Sequence, residues 1–192
     1  MDPPHLIKLT RNTLGDLGIL IDGMGNPVKW EYIRHLHTLQ KSEKLHLGNK
    51  ITLEQIDYKK NKMKVRLATQ VCSQSTGDSL IYCESVRKLP EFEGASSTAK
   101  FLKCMDVLFD TLNSRFTFGK YSKAPISVKN ADKWSSTLDT CEHYIRGLKY
   151  VDGRSVVSGP RKAAFIGWLN DIKAIRSMYE QYVEKGNTIC TS

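Results

Sequence analysis

Phe109, Asp110 and Asn113 carry the most chemistry in their spacing. An acid and an amide at i, i+3 put both polar tips on one helix face. A neighbouring aromatic ring can stack on a flat base while the carboxylate accepts from an amino edge. The plainer alternative keeps Phe109 in a core with Asp110 facing water, and the pattern by itself favours it. Asp2 is the second candidate. It stands before Pro3-Pro4, and proline is tolerated in the first turn of a helix, where its missing N–H would have no partner anyway. An acid at a strand-to-helix junction is where metal-dependent nucleases place a carboxylate. A chain opening on such a junction reads as the middle of a larger protein.

Other chemistries are poorly represented. No GxxxxGK[ST] run is present, which excludes a Walker-type phosphate cradle. Gly48-Asn49-Lys50-Ile51-Thr52 shares Asn-Lys with the guanine-reading motif of GTPases. Its fourth residue is Thr52, where that reading needs a carboxylate. Histidines 5, 35, 37, 46 and 143 have no metal-ligand spacing. The five cysteines are widely spaced without a CxxC pair, which argues against a disulfide framework or a zinc finger and for a reducing compartment. Cys72, Cys83 and Cys104 fall on apolar faces and read as core, as do Trp30, Trp134 and Trp168.

The elements that must position these residues are mostly helical. Leu6, Leu9, Thr10, Leu14 and Leu17 outline a first helix ending near Gly15 to Gly18. Asp22-Gly23-Met24-Gly25-Asn26 joins Ile19–Ile21 to Pro27–Trp30 as a small hairpin. Glu31 to Ser42 reads as a helix, and Thr52 caps a short one. Met63 to Cys72 marks another, with Ser73 to Thr76 breaking it or capping the next, which runs to Leu89. Residues 90–96 read as loop. Ser96 or Ser97 then caps a strong helix through Phe101, Leu102, Met105, Leu108 and Leu112. Residues 114–128 read as loop, before helices near 129–148 and 161–183. The predicted fold is mainly α, a single helical domain with one or two short β-hairpins.

At 192 residues and 40% hydrophobic content, one domain with a real core is expected. The net charge of +9 favours a polyanionic partner such as nucleic acid or a nucleotide phosphate. No signal peptide is visible, and no apolar run approaches the roughly 18 residues of a membrane span.

Several segments together resemble one family, the P-element-type transposases of animals, including relatives that carry a THAP zinc finger. They are Asp2-Pro3-Pro4-His5-Leu6-Ile7-Lys8 with Arg11-Asn12, and Trp30-Glu31-Tyr32-Ile33. Leu45-His46-Leu47-Gly48-Asn49-Lys50-Ile51-Thr52 and Met63-Lys64-Val65-Arg66-Leu67-Ala68-Thr69-Gln70-Val71-Cys72-Ser73 follow in order, then Phe109-Asp110-Thr111-Leu112-Asn113-Ser114-Arg115.

The resemblance implies a helical, GTP-binding insertion in an RNase H-like transposase. Residues 1–12 would be the remnant of the RNase H-like junction, 13–185 the insertion and 186–192 a tail. It implies that Asp2 matches the second of three metal-binding acids, a relic here because the other two have no counterpart in this chain. Neither DNA cleavage nor strand transfer is then expected, and Mg²⁺ belongs to the full-length family. GTP would serve assembly without hydrolysis. Lys50, Lys64, Val65 and Ser73 would meet phosphate and ribose, and Phe109, Asp110 and Asn113 the base. DNA, self-association and a nuclear location are implied. A different reading makes Lys59, Lys60, Lys62, Lys64 and Arg66 a basic track for DNA with no nucleotide ligand. A third is an inert product that folds poorly.

Overall fold

The computed structural model describes residues 2–44, 50–113, 124 and 126–183. Helix α1 (Pro3–Leu17) opens on the two prolines and ends at Gly18, whose φ of +76° suits glycine and whose N–H donates to the Leu14 carbonyl. Strands β1 (Ile19–Ile21) and β2 (Pro27–Lys29) pair antiparallel, with Leu20 opposite Val28. Their turn is organised by the buried Asp22 carboxylate, which accepts from the Met24 N–H at 2.9 Å and the Asn26 N–H at 2.8 Å. Helix α2 (Glu31–Glu43) follows, then the short α3 (Leu53–Ile56), which Thr52 and Gln55 close with a reciprocal capping box.

A 3₁₀ turn (Tyr58–Asn61) leads to α4 (Val65–Val71) and α5 (Gln74–Ile81), and a π turn (Tyr82–Val86) continues α5. Helix α6 (Ala95–Leu112) is the long central element, and α7 (Ala131–Gly147) and α8 (Lys162–Met178) complete the fold. Met63, expected inside a helix, lies before α4 and is 72% exposed.

The start of α6 differs from the expected serine cap. Gly94 occupies the cap position at φ +80° with no side-chain bond of its own. The Glu84 carboxylate takes over, accepting from the Gly94 N–H at 2.8 Å and the Ser96 N–H at 2.9 Å. A carboxylate from the preceding helix satisfies the free amides that a local hydroxyl would otherwise meet.

The core joins both ends of the chain. Trp168 of α8 is fully buried, and its indole N–H donates to Thr10 Oγ1 of α1 at 2.9 Å. Leu6, Ile7 and Leu14 of α1 pack in the same cluster as Phe101, Leu102, Met105 and Leu108 of α6. The expectation of core roles for Cys72, Cys83, Trp30, Trp134 and Trp168 agrees with their burial. The domain boundary expected after residue 12 falls inside the continuous α1, and the tail at 186–192 lies outside the described residues.

Candidate functional site

Three features position the predicted site residues: the junction of α4 with α5, the last turns of α6, and the pocket that ends α2. At the junction, Ser73 is the N-cap of α5. Its hydroxyl accepts from the Thr76 N–H at 3.1 Å and donates to the Gln70 carbonyl at 3.1 Å. Ser73 is thus committed to shaping the turn. The next residue fastens the turn to α6: the Gln74 N–H donates to Asp106 Oδ2 at 3.0 Å, and its side-chain amide donates to the Lys103 carbonyl at 3.1 Å. Gly77 lets the two helices approach, since a Cβ there would sit 3.1 Å from the Ala99 carbonyl.

Asp106, Asp110 and Asn113 follow at i, i+4 and i+7, so they share one face of the α6 line. Asp110 stands one turn beyond the point where α5 begins, roughly 6 Å further along the axis. Phe109 is half-buried against the core cluster, and Asn113 terminates the helix. Lys64 and Val65 open α4 at its other end, about 10 Å from the Ser73 turn for a helix of that length. The Lys64 side chain is exposed and Val65 half-buried.

The segment before Lys64 is held by Arg11, a residue that composition and spacing did not single out. Its side chain is fully buried; it lies 5.2 Å over the Tyr58 ring and donates to the Asn61 carbonyl at 3.3 Å. Burial lowers its pKa from the usual arginine value. Tyr58 in turn donates to Asp16 at 2.6 Å, and Arg161 pairs with the same carboxylate at 2.9 Å.

Lys50 sits apart. It lines a pocket of about 550 Å³ with His37, Gln40, Lys41 and Lys44 of the α2 end and Ile51 to Glu54 of the α3 start. None of the other six predicted ligand-binding residues lines it. The buried Gln40 holds its wall, accepting from the Ile51 N–H at 2.9 Å. Burial, and then the Lys41 charge, keep the His37 pKa below its ordinary value.

A second groove runs between α6 and α7, formed by cavities of about 340 and 390 Å³ that share Gln74, Val107 and Thr137. Asp2 precedes α1 as its N-cap, without a side-chain cap bond. Among the described residues no cluster of three or more His, Cys, Asp or Glu side chains is placed to hold a metal ion. Among them, too, no helix is long and apolar enough to cross a membrane.

The family model described as "TNP-like, GTP-binding insertion domain" matches residues 4–125, which run from the second residue of α1 past the end of α6 and contain every predicted nucleotide contact. The chain belongs to this family. It is 28% identical over 184 residues to the human DNA transposase THAP9, covering 95% of this chain and 20% of that protein. It is 38% identical over 165 residues to the Transposable element P transposase of Drosophila melanogaster, covering 85% of this chain and 21% of that one. The chain thus spans about a fifth of the length of these curated relatives. A solved structure, a Drosophila P element transposase strand transfer complex, superposes with a TM-score of 0.76 at 28% identity, covering 95% of this chain and 40% of the other. The insertion-domain fold and the relationship to P-element-type transposases expected from the motifs are therefore established.

Proposed function

We propose that this domain binds GTP as an assembly cofactor and does not hydrolyse it. The observation that carries the reading is the α5–α6 junction, where Gln74 is fastened to Asp106 and Asp110 and Asn113 continue the same helix line. The donor set suits a guanine nucleotide. Lys50 and Lys64 offer exposed ammonium groups to phosphates as point charges. Val65 opens α4, where its backbone can approach the ligand, and Ser73 holds the turn that faces it. Phe109 supplies an aromatic face, Asp110 accepts from guanine N1–H and N2–H₂, and Asn113 adds a carboxamide beside it.

In this reading the domain serves a P-element-type transposase-like protein acting on DNA in the nucleus. The chemistry of strand cleavage belongs to metal-binding acids, of which Asp2 matches one by resemblance. With a single such acid, the two-metal arrangement of phosphoryl transfer is not assembled from residues 1–192 alone. A DNA-contacting role has its own support: Lys59, Lys60, Lys62, Lys64 and Arg66 are all exposed along one short stretch. Phosphate contacts of that kind weaken steeply with salt, whereas guanine preference persists.

Calorimetric titration with GTP, ATP and XTP, on the wild type and Asp110→Asn, tests the proposal. Guanine-selective binding that moves toward XTP in the variant supports it. A folded wild-type chain that binds none of the three overturns it. Salt-sensitive DNA binding by that same chain would leave the basic track as the better account.

A further inference from the structure

Two thiols from different helices meet at the groove between α6 and α7. Cys104 of α6 is half-buried and Cys141 of α7 is 4% exposed. Cys141 Sγ lies 3.9 Å from the Cys104 carbonyl oxygen, so the two residues meet across the helix pair. Both line the same cavity of about 390 Å³, together with Lys100 and Tyr144. We propose that Cys104 and Cys141 are an oxidation-sensitive dithiol that closes to a disulfide bridging α6 and α7. The site is separate from the residues assigned to GTP.

Geometry is the main support. A disulfide needs Cβ atoms about 3.5–4.5 Å apart, and a Cys141 sulfur already in contact with the Cys104 backbone, in a cavity that both residues line, places the pair within reach of side-chain rotation. The local electrostatics agree. The neighbouring Cys104 holds the Cys141 thiol below its ordinary value, while Cys141 and burial push Cys104 up. The first thiolate of the pair therefore resides on Cys141, and thiolate character governs attack on an oxidant. Lys100 adds a positive charge that favours an anion at Cys104 once its proton leaves. Cys72 and Cys83 lack such a partner among the described cysteines, and burial pushes the Cys72 thiol up to about 12.

The oxidant is a peroxide small enough to enter the cavity. Cys141 thiolate attacks one peroxide oxygen, the O–O bond breaks, and the departing hydroxide takes up a proton to leave as water. Cys141 is then a sulfenic acid. Cys104 sulfur attacks that sulfur, the S–O bond breaks, and the Cys104 proton departs with the hydroxide as a second water. Two thiols and one hydrogen peroxide become one disulfide and two waters.

The test uses the full reduced chain, freed of reductant and treated with stoichiometric hydrogen peroxide. Thiol titration and peptide mapping follow. Two of the five thiols should disappear, a Cys104–Cys141 crosslinked peptide should appear, and dithiothreitol should reverse both. Phenylarsine oxide, which bridges paired thiols, should protect Cys104 and Cys141 from alkylation in the wild-type chain, so this arm needs no variant. In Cys104→Ser, Cys141 should accumulate as a sulfenic acid that dimedone traps. Failure to find the crosslinked peptide, with Cys104 and Cys141 oxidised independently or paired with other cysteines, overturns the proposal.

Discussion

The pocket at the end of α2 and the junction of α5 with α6 hold their polar groups in opposite ways. Around the pocket, Lys41, Lys44 and Lys50 stand on an apolar frame with exposed ammonium groups. At the junction, Ser73, Gln74 and Asp106 are tied into hydrogen bonds that fix the helices against each other. Exposed ammonium groups meet phosphates as point charges and lose strength to salt. A carboxylate carried on a fastened helix discriminates, because a base that does not match leaves its polar atoms unpaired. On the proposed reading, the pocket would supply general attraction and the junction selection.

Replacing Asp110 should separate the two most sharply. Asp110→Asn should cut GTP affinity roughly 10- to 100-fold, the range expected for lost hydrogen bonds to a charged group. Affinity for XTP should rise, as read by calorimetry, while the salt dependence stays unchanged. Equal losses for GTP and ATP would show that the junction does not select.

Ser73→Ala distinguishes turn-building from ligand contact. Loss of an N-cap costs about 1 kcal/mol, so the midpoint of chemical denaturation should fall by the corresponding amount. If Ser73 acts through the turn alone, GTP affinity in the folded variant should change much less than in Asp110→Asn. A fall as large as that of Asp110→Asn would make its hydroxyl a direct contact.

Lys50→Gln should have a smaller effect. An exposed charge contributes on the order of 0.2–1 kcal/mol, so nucleotide affinity should drop only a few-fold and the dependence on salt should become shallower. Base preference should be untouched, and a change in preference would join Lys50 to the selecting region.

The smallest effect is in pH. Burial and Lys41 depress the folded-state value of His37, so the unfolded chain takes up a proton that the folded chain resists. Stability should therefore decline as pH falls below about 6.5, and the decline should end below the lower folded-state value. His37→Gln should flatten that part of the profile in thermal melts recorded from pH 7.5 to 5. An unchanged slope would place the pH sensitivity elsewhere.

Much of this was legible in the residues alone, for identifiable reasons. The apolar spacing of Phe101, Leu102, Met105 and Leu108 gives α6, because a helix returns to the same face every 3.6 residues. Asp22-Gly23 and Asn26 give the hairpin, because local side-chain bonds and turn residues write their signal within five positions. The ordered motifs around Asp2, Trp30, Lys50, Lys64 and Asp110 gave the family.

Four features required the tertiary structure: the burial of Arg11 over Tyr58, the Glu84 carboxylate at the start of α6, the Gln74–Asp106 tie and the facing of Cys104 with Cys141. Glu84 lies 10 positions from Gly94, and Gln74 lies 32 from Asp106. Cys104 and Cys141 are 37 apart. Periodicity reports which face of an element is apolar, but pairing across such separations depends on how helices cross, and no local pattern encodes that.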